Sequence, residues 1–273
     1  MSSRNLAPRF PRLRTTLRNL SLGIPALAML MAADGDCALA WRTAQSPVQA
    51  VASVMLQPDG EVVAELTLIS TDNWREHRWA DGATKVQIRV PDGSLVELEP
   101  LGEGRYRSSS SERPELAWLP GERYRVSFEL DDAELAGDYA GEDFIAVVDA
   151  PAEPISFELE RAPAFVGDTA ELRWSPSKLD AMIEVHDPEG ELIFTTFNLS
   201  TPDLDGSKWG SLAQHGQHTL PVDVFKSSGS YTITACVVAS QEGFDAELSA
   251  ALGAASGFLA GECFEPIEIE VAE

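Results

Sequence analysis

The chain has 273 residues, 44 of them acidic against 20 basic, and a formal net charge of −24. Such a surface repels phosphate backbones and anionic membranes, which excludes a nucleic-acid-binding module. With 44% hydrophobic and 8% aromatic residues the chain can build a core, so it is no disordered acidic tail, and its length suits one or two domains.

The first forty residues invert the charge pattern. Arg4, Arg9, Arg12, Arg14 and Arg18 precede any acid, an apolar stretch runs from Leu20 to Ala33, and Ala38-Leu39-Ala40 follows. These are the n-region, h-region and small-residue cleavage site of a secretory signal peptide over 1–40. The h-region is too short for the roughly 20 apolar residues of a bilayer span, so no integral membrane span is expected in the mature chain. Lipid attachment at Cys37 is disfavoured, because Asp36 stands where lipoprotein signals carry a small residue. Cleavage after Ala40 leaves 15 basic and 42 acidic residues, a net charge of −27, and only two cysteines, Cys236 and Cys263. An even pair in an exported chain predicts a structural disulfide.

From residue 41 onward the texture is that of strands. Apolar and polar residues alternate in Glu61–Leu68, Lys85–Val90 and Arg123–Leu130, and again in Ala170–Trp174, Met182–Val185, Tyr231–Val238 and Ile267–Val271. Turn signals lie between them: Pro58-Asp59-Gly60, Pro91-Asp92-Gly93, Pro120-Gly121, Asp187-Pro188-Glu189-Gly190 and Ser227-Ser228-Gly229. Many short strands with tight turns predict an all-β chain of antiparallel sandwiches.

Within the first half, Trp74-Arg75-Glu76-His77-Arg78-Trp79 is a basic and aromatic knot in an acidic protein. Trp74, Arg75, Arg78 and Trp79 are candidate binding residues, since two tryptophans beside arginines can stack on a sugar or grip an acidic partner. From Glu129 to Asp149 eight carboxylates occur without a basic residue, among them Asp131, Asp132, Asp138, Glu142 and Asp143, and Asp203-Leu204-Asp205-Gly206 adds a shorter cluster. Neither has the loop spacing of a known calcium motif, and solvated acidic loops are the expectation.

Two prolines and small residues at Asp149–Pro154 mark a join. Val86–Leu95 lines up with Ile183–Leu192 about a hundred residues later, and Gly121–Val126 with Gly229–Ile233, which predicts two similar units. The expected division is 41–149, a linker at 150–154, and 155–273.

The second half holds His215-Gly216-Gln217-His218, which lacks the glutamate and helix of a zinc protease. Between Cys236 and Cys263, the residues Phe244, Leu248, Leu252 and Phe258 recur near helical spacing with acids at the start. This predicts a short amphipathic helix over 244–259, inserted between two strands and pinned by the disulfide, with Phe244, Leu248 and Leu252 as a candidate partner face.

These hairpins, their Pro-Asp-Gly and Asp-Pro-Glu-Gly turns, and the glycine-led strands at Tyr124 and Tyr231 resemble the tandem immunoglobulin-like and fibronectin type III-like β-sandwich modules of bacterial exported proteins. The resemblance implies two antiparallel sandwiches, with Tyr124 and Tyr231 bonding back to their preceding loops and Trp174 in the second core. It also marks a departure, since antibody-type disulfides bridge two sheets, whereas Cys236 and Cys263 belong near the last strands of one module.

Nothing in the chain supplies a nucleophile elbow, phosphate loop or dinucleotide fingerprint, and no metal or cofactor is expected. The reading is an exported, non-enzymatic binding, adhesion or surface-structural protein of the cell envelope, with a protein or polysaccharide partner outside the cytoplasm. Two alternatives stand beside it: a carbohydrate- or calcium-binding accessory module, and a hydrolase with an unrecognised carboxylate site.

Overall fold

The computed structural model describes residues 48–73, 76–79, 82–131, 141, 143–196, 212–242 and 257–273. Every regular element among them is a strand. In the first half these are β1 (Val48–Leu56), β2 (Val62–Asn73), β3 (Glu76–Trp79), β4 (Ala83–Arg89), β5 (Leu95–Glu97), β6 (Glu99–Gly102), β7 (Arg105–Ser109), β8 (Arg123–Leu130) and β9 (Asp143–Asp149). In the second they are β10 (Ser156–Arg161), β11 (Ala170–Ser175), β12 (Asp180–His186), β13 (Leu192–Thr195), β14 (Gln217–Leu220), β15 (Gly229–Glu242), β16 (Gly257–Cys263) and β17 (Ile267–Val271).

The turns form for the reasons their residues supply. Asp59, Asp92 and Asp187 each accept backbone N–H groups two residues on, from Glu61, Ser94 and Glu189, at 2.8–3.0 Å. The glycines that follow, Gly60, Gly93 and Gly190, take φ values of +87°, +92° and +83°, a region that costs other residues about 1–2 kcal/mol.

The strands make three sheets. A ten-stranded sheet runs β13-β12-β15-β16-β1-β2-β7-β6, with β17 also on β15 and β3 also on β2. A four-stranded sheet runs β5-β4-β8-β9 and a three-stranded one β10-β11-β14. All pairs of these strands are antiparallel except β1 with β16, where Ala52 meets Phe258 and Val54 meets Ala260. That parallel ladder makes the large sheet continuous between the two halves of the sequence.

Two cores lie on one face of this sheet. Ala52, Val54, Ala64, Leu66 and Leu68 pack against Ile88, Val126, Phe128 and Phe144 of the four-stranded sheet. Ile183, Val185, Ile233 and Val237 pack against Leu172, Trp174 and Leu220 of the three-stranded sheet. The β15–β16 hairpin serves both, with Phe258 and Ala260 in the first core, Tyr231 and Ile233 in the second, and Ala239 packed against each. On the reverse face Val51, Met55, Val238 and Leu259 form a third, smaller cluster beside the cysteines. Gly261, opposite both Met55 and Val238, is where backbones crowd: an added Cβ would lie 2.2 Å from the Val237 carbonyl oxygen.

The expected helix over 244–259 needs correction at its end. Phe258 and Leu259 belong to strand β16, and their side chains point to opposite faces of the sheet, one into the first core and one into the small cluster. Apolar residues at consecutive positions serve two buried faces here, where a helical stripe would put them on one. Phe244, Leu248 and Leu252 lie outside the described residues, which contain no helix and hence none long and apolar enough to cross a membrane.

Candidate functional site

Two tyrosines fix the ends of the sandwiches as the resemblance implies. The Tyr124 hydroxyl donates to the Ala117 carbonyl at 2.6 Å and accepts from the Leu119 N–H at 2.8 Å, and burial raises the phenol pKa above its ordinary value. The Tyr231 hydroxyl donates to the Ser227 carbonyl at 2.9 Å and stands edge-on to Phe225. Each ring is buried with its oxygen aimed at loop backbone, so a polar atom can enter the core without loss. Trp174 is likewise buried, with its indole N–H donating to the Leu179 carbonyl at 2.8 Å.

Cys236 and Cys263 are bonded and stand directly opposite one another on β15 and β16. Of the Trp74–Trp79 knot, Trp74 and Arg75 lie outside the described residues. Arg78 and Trp79 occupy β3, at register positions opposite Ser70 and Ile69. Among the acidic candidates Asp131 and Asp143 are exposed, while Asp132, Asp138, Glu142, Asp203 and Asp205 lie outside the described residues. No group of three or more His, Cys, Asp or Glu among the described residues could hold a metal ion. His218 is half-buried against Phe194, its Nε2 has no hydrogen-bond partner, and burial lowers its pKa below the ordinary imidazole value.

The outer face of the four-stranded sheet holds a cluster that sequence alone does not reveal. Alternation sends Val86, Ile88, Val126 and Phe128 inward and leaves Lys85, Gln87, Arg89, Arg125, Ser127 and Glu129 outward, where they line a shallow depression of about 270 Å³ with Leu95 and Asp143. Register places Arg89 directly opposite Arg125, with Leu95 beyond Arg89 and Val147 beyond Arg125. One row thus reads Leu95, Arg89, Arg125, Val147, and both end residues are exposed, at 52% and 39%.

The ends of this face are neutralised. Lys85 pairs with Glu129 at 2.5 Å, which raises the lysine pKa, and Arg123 pairs with Asp149 at 2.7 Å, which lowers the Asp149 pKa. The centre is not. Of the eleven lysines and arginines whose side chains are described, eight stand in ion pairs, and Arg89, Arg125 and Lys226 do not. The signal was present in Lys85–Val90 and Arg123–Leu130, segments that each carry two basic residues at outward positions, but it required knowing that these strands pair.

No family model matches the chain, and no curated protein matches it. Solved structures overlap it loosely. A biofilm-associated protein BSP domain shares 11% identity over 88% of this chain and 32% of that one, with a TM-score of 0.27. Native alpha-2-macroglobulin from Escherichia coli, spanning domains MG0-NIE-MG1, shares 12% over 86% and 93%, with a TM-score of 0.23. Murine CEACAM1b shares 7% over 82% and 100%, with a TM-score of 0.22. The chain therefore spans about a third of the biofilm-associated chain, and overlaps at these TM-scores assign it no role. The architecture itself, all-β and tied at Tyr124 and Tyr231, fits immunoglobulin-like modules.

Proposed function

We propose that this chain is an exported, non-enzymatic binding module of the cell envelope, built from two immunoglobulin-like sandwich units joined near 150–154 that share the β15–β16 hairpin. The observation that carries the reading is the Cys236–Cys263 disulfide: such bonds persist outside the reducing cytoplasm, and the only cysteine beside them, Cys37, lies within the leader-like first forty residues. The tyrosine-anchored loops support it further, because sandwiches hold loops and flat faces rigid for recognition. A protein or polysaccharide partner follows from that role, and adhesion is one form it takes.

The test fuses residues 1–60 to an alkaline phosphatase that is active only when exported, in a bacterial host. High phosphatase activity that disappears on deletion of residues 2–40 is the expected result. Equal activity with and without those residues, or none in either fusion, would refute export.

A further inference from the structure

We propose that the outer face of the four-stranded sheet, centred on Arg89 and Arg125, docks a polypeptide that presents carboxylates beside apolar side chains. The inference rests on the binding-module reading and gives it a surface and a partner chemistry.

Three observations converge on this face. The first is the charge itself. Like charges directly opposite in an antiparallel pair destabilise a sheet, and in a chain with more than twice as many acids as bases a neutralising carboxylate is easily supplied. It is supplied to Lys85 and Arg123 at the two ends of the face and withheld from Arg89 and Arg125 between them. Among the described residues the one hydrogen bond of either guanidinium runs from Arg89 Nη1 to the Gly93 carbonyl, at 3.3 Å, which leaves its other donors facing the depression. Two guanidinium groups on neighbouring strands, with Cβ atoms about 5 Å apart, can share one carboxylate or hold two.

The second observation is the apolar flank. Leu95 and Val147 extend the same row on either side, and an arginine centre with an apolar surround is the composition of protein interfaces.

The third excludes other polyanions. Glu97, Glu129, Asp143 and Asp149 rim the face, so a polymer charged at every repeat, such as a nucleic acid or a polyuronate, would meet repulsion wherever it left the centre. Among the described residues the face carries no aromatic side chain on which a sugar or base would stack. A polypeptide can place one or two carboxylates at the centre and uncharged groups over the rim.

The experiment titrates the mature protein, residues 41–273, with the terminally blocked peptide Leu-Asp-Leu-Asp-Leu and follows the arginine Nε–Hε resonances by NMR. Saturable shifts confined to Arg89, Arg125 and their neighbours are expected, with affinity falling about tenfold for the Leu-Asn-Leu-Asn-Leu peptide and about tenfold in the Arg125→Ser variant. Arg125→Ser relieves a like-charge contact on an exposed strand face, so its melting midpoint should equal or exceed that of the parent. No arginine shift at about 1 mM peptide, equal binding of the Asn peptide, or stronger shifts with polygalacturonate would each overturn the proposal. Export is read by the phosphatase fusion alone, so the docking face can fail while the export reading stands.

Discussion

Cys236 and Cys263 face one another across the β15–β16 ladder with Cα atoms 3.9 Å apart, in the hairpin whose two ends enter different cores. Their bond closes a loop with a sequence separation of 27, which the chain-entropy account values at about 3–4 kcal/mol. Cys236→Ser/Cys263→Ser should lower the unfolding free energy extrapolated from urea titration by that amount. Because Phe258 and Ala260 pack in the first core and Tyr231 in the second, probes in both halves should report the loss. A change seen by probes in the second half alone would contradict the shared hairpin.

Gly261 occupies the tightest point of that hairpin. Gly261→Ala drives a Cβ to 2.2 Å from the Val237 carbonyl oxygen and 2.7 Å from a Val238 methyl, so the strand must move. We expect a loss of about 2–3 kcal/mol, as for overpacking in a close-packed interior. Gly190→Ala meets no atom within 4 Å and bears only its left-handed backbone, so it should cost about 1 kcal/mol. Equal losses in urea unfolding would argue against the close β16–β15 approach.

Tyr124→Phe removes the partner of the Ala117 carbonyl and the Leu119 N–H while keeping the ring. The expected cost is about 1–2 kcal/mol, with Tyr231→Phe similar because it removes the partner of the Ser227 N–H, hydroxyl and carbonyl. Chemical denaturation of the two variants measures both values, and a neutral Tyr124→Phe would show that loop backbone to be solvated.

His218 makes stability depend on pH in one direction. Burial depresses its folded-state pKa below the ordinary 6.5, so in the window beneath 6.5 the unfolded chain binds more protons than the native one. Stability therefore falls as pH drops through that window and is unaffected by this group above it. His218→Gln should flatten the dependence of the urea midpoint between about pH 5 and pH 7, and an unchanged slope would remove His218 as its source.

Strands half-buried in the sheets were legible in the sequence because their side chains alternate. Arg123–Leu130 matches β8 residue for residue, and Lys85–Arg89 lies on β4, which ends one residue before Val90. Two kinds among the strands that escaped have a clear physical reason. Val48–Leu56 packs one face on the first core and puts Val51 and Met55 into the cluster on the other, so no polar alternation marks it. Short pieces such as Leu95–Glu97 exist only because a neighbour pairs with them. Phe258 looked helical for the same reason that β1 was silent, since consecutive apolar residues on a doubly covered strand mimic a buried helix. The Arg89–Arg125 face was hidden differently: each arginine is an ordinary outward residue on its own strand, and only the ladder makes them neighbours. The disulfide, by contrast, followed from counting cysteines once the leader was set aside.

The central claim, an exported and disulfide-locked binding module, is tested most directly by the intact mass of the full-length gene product recovered outside the cytoplasm. The account predicts residues 41–273 less two hydrogens, with no thiol open to alkylation until a reductant is added. A product that retains the first forty residues, or one whose Cys236 and Cys263 alkylate without reduction, would contradict it.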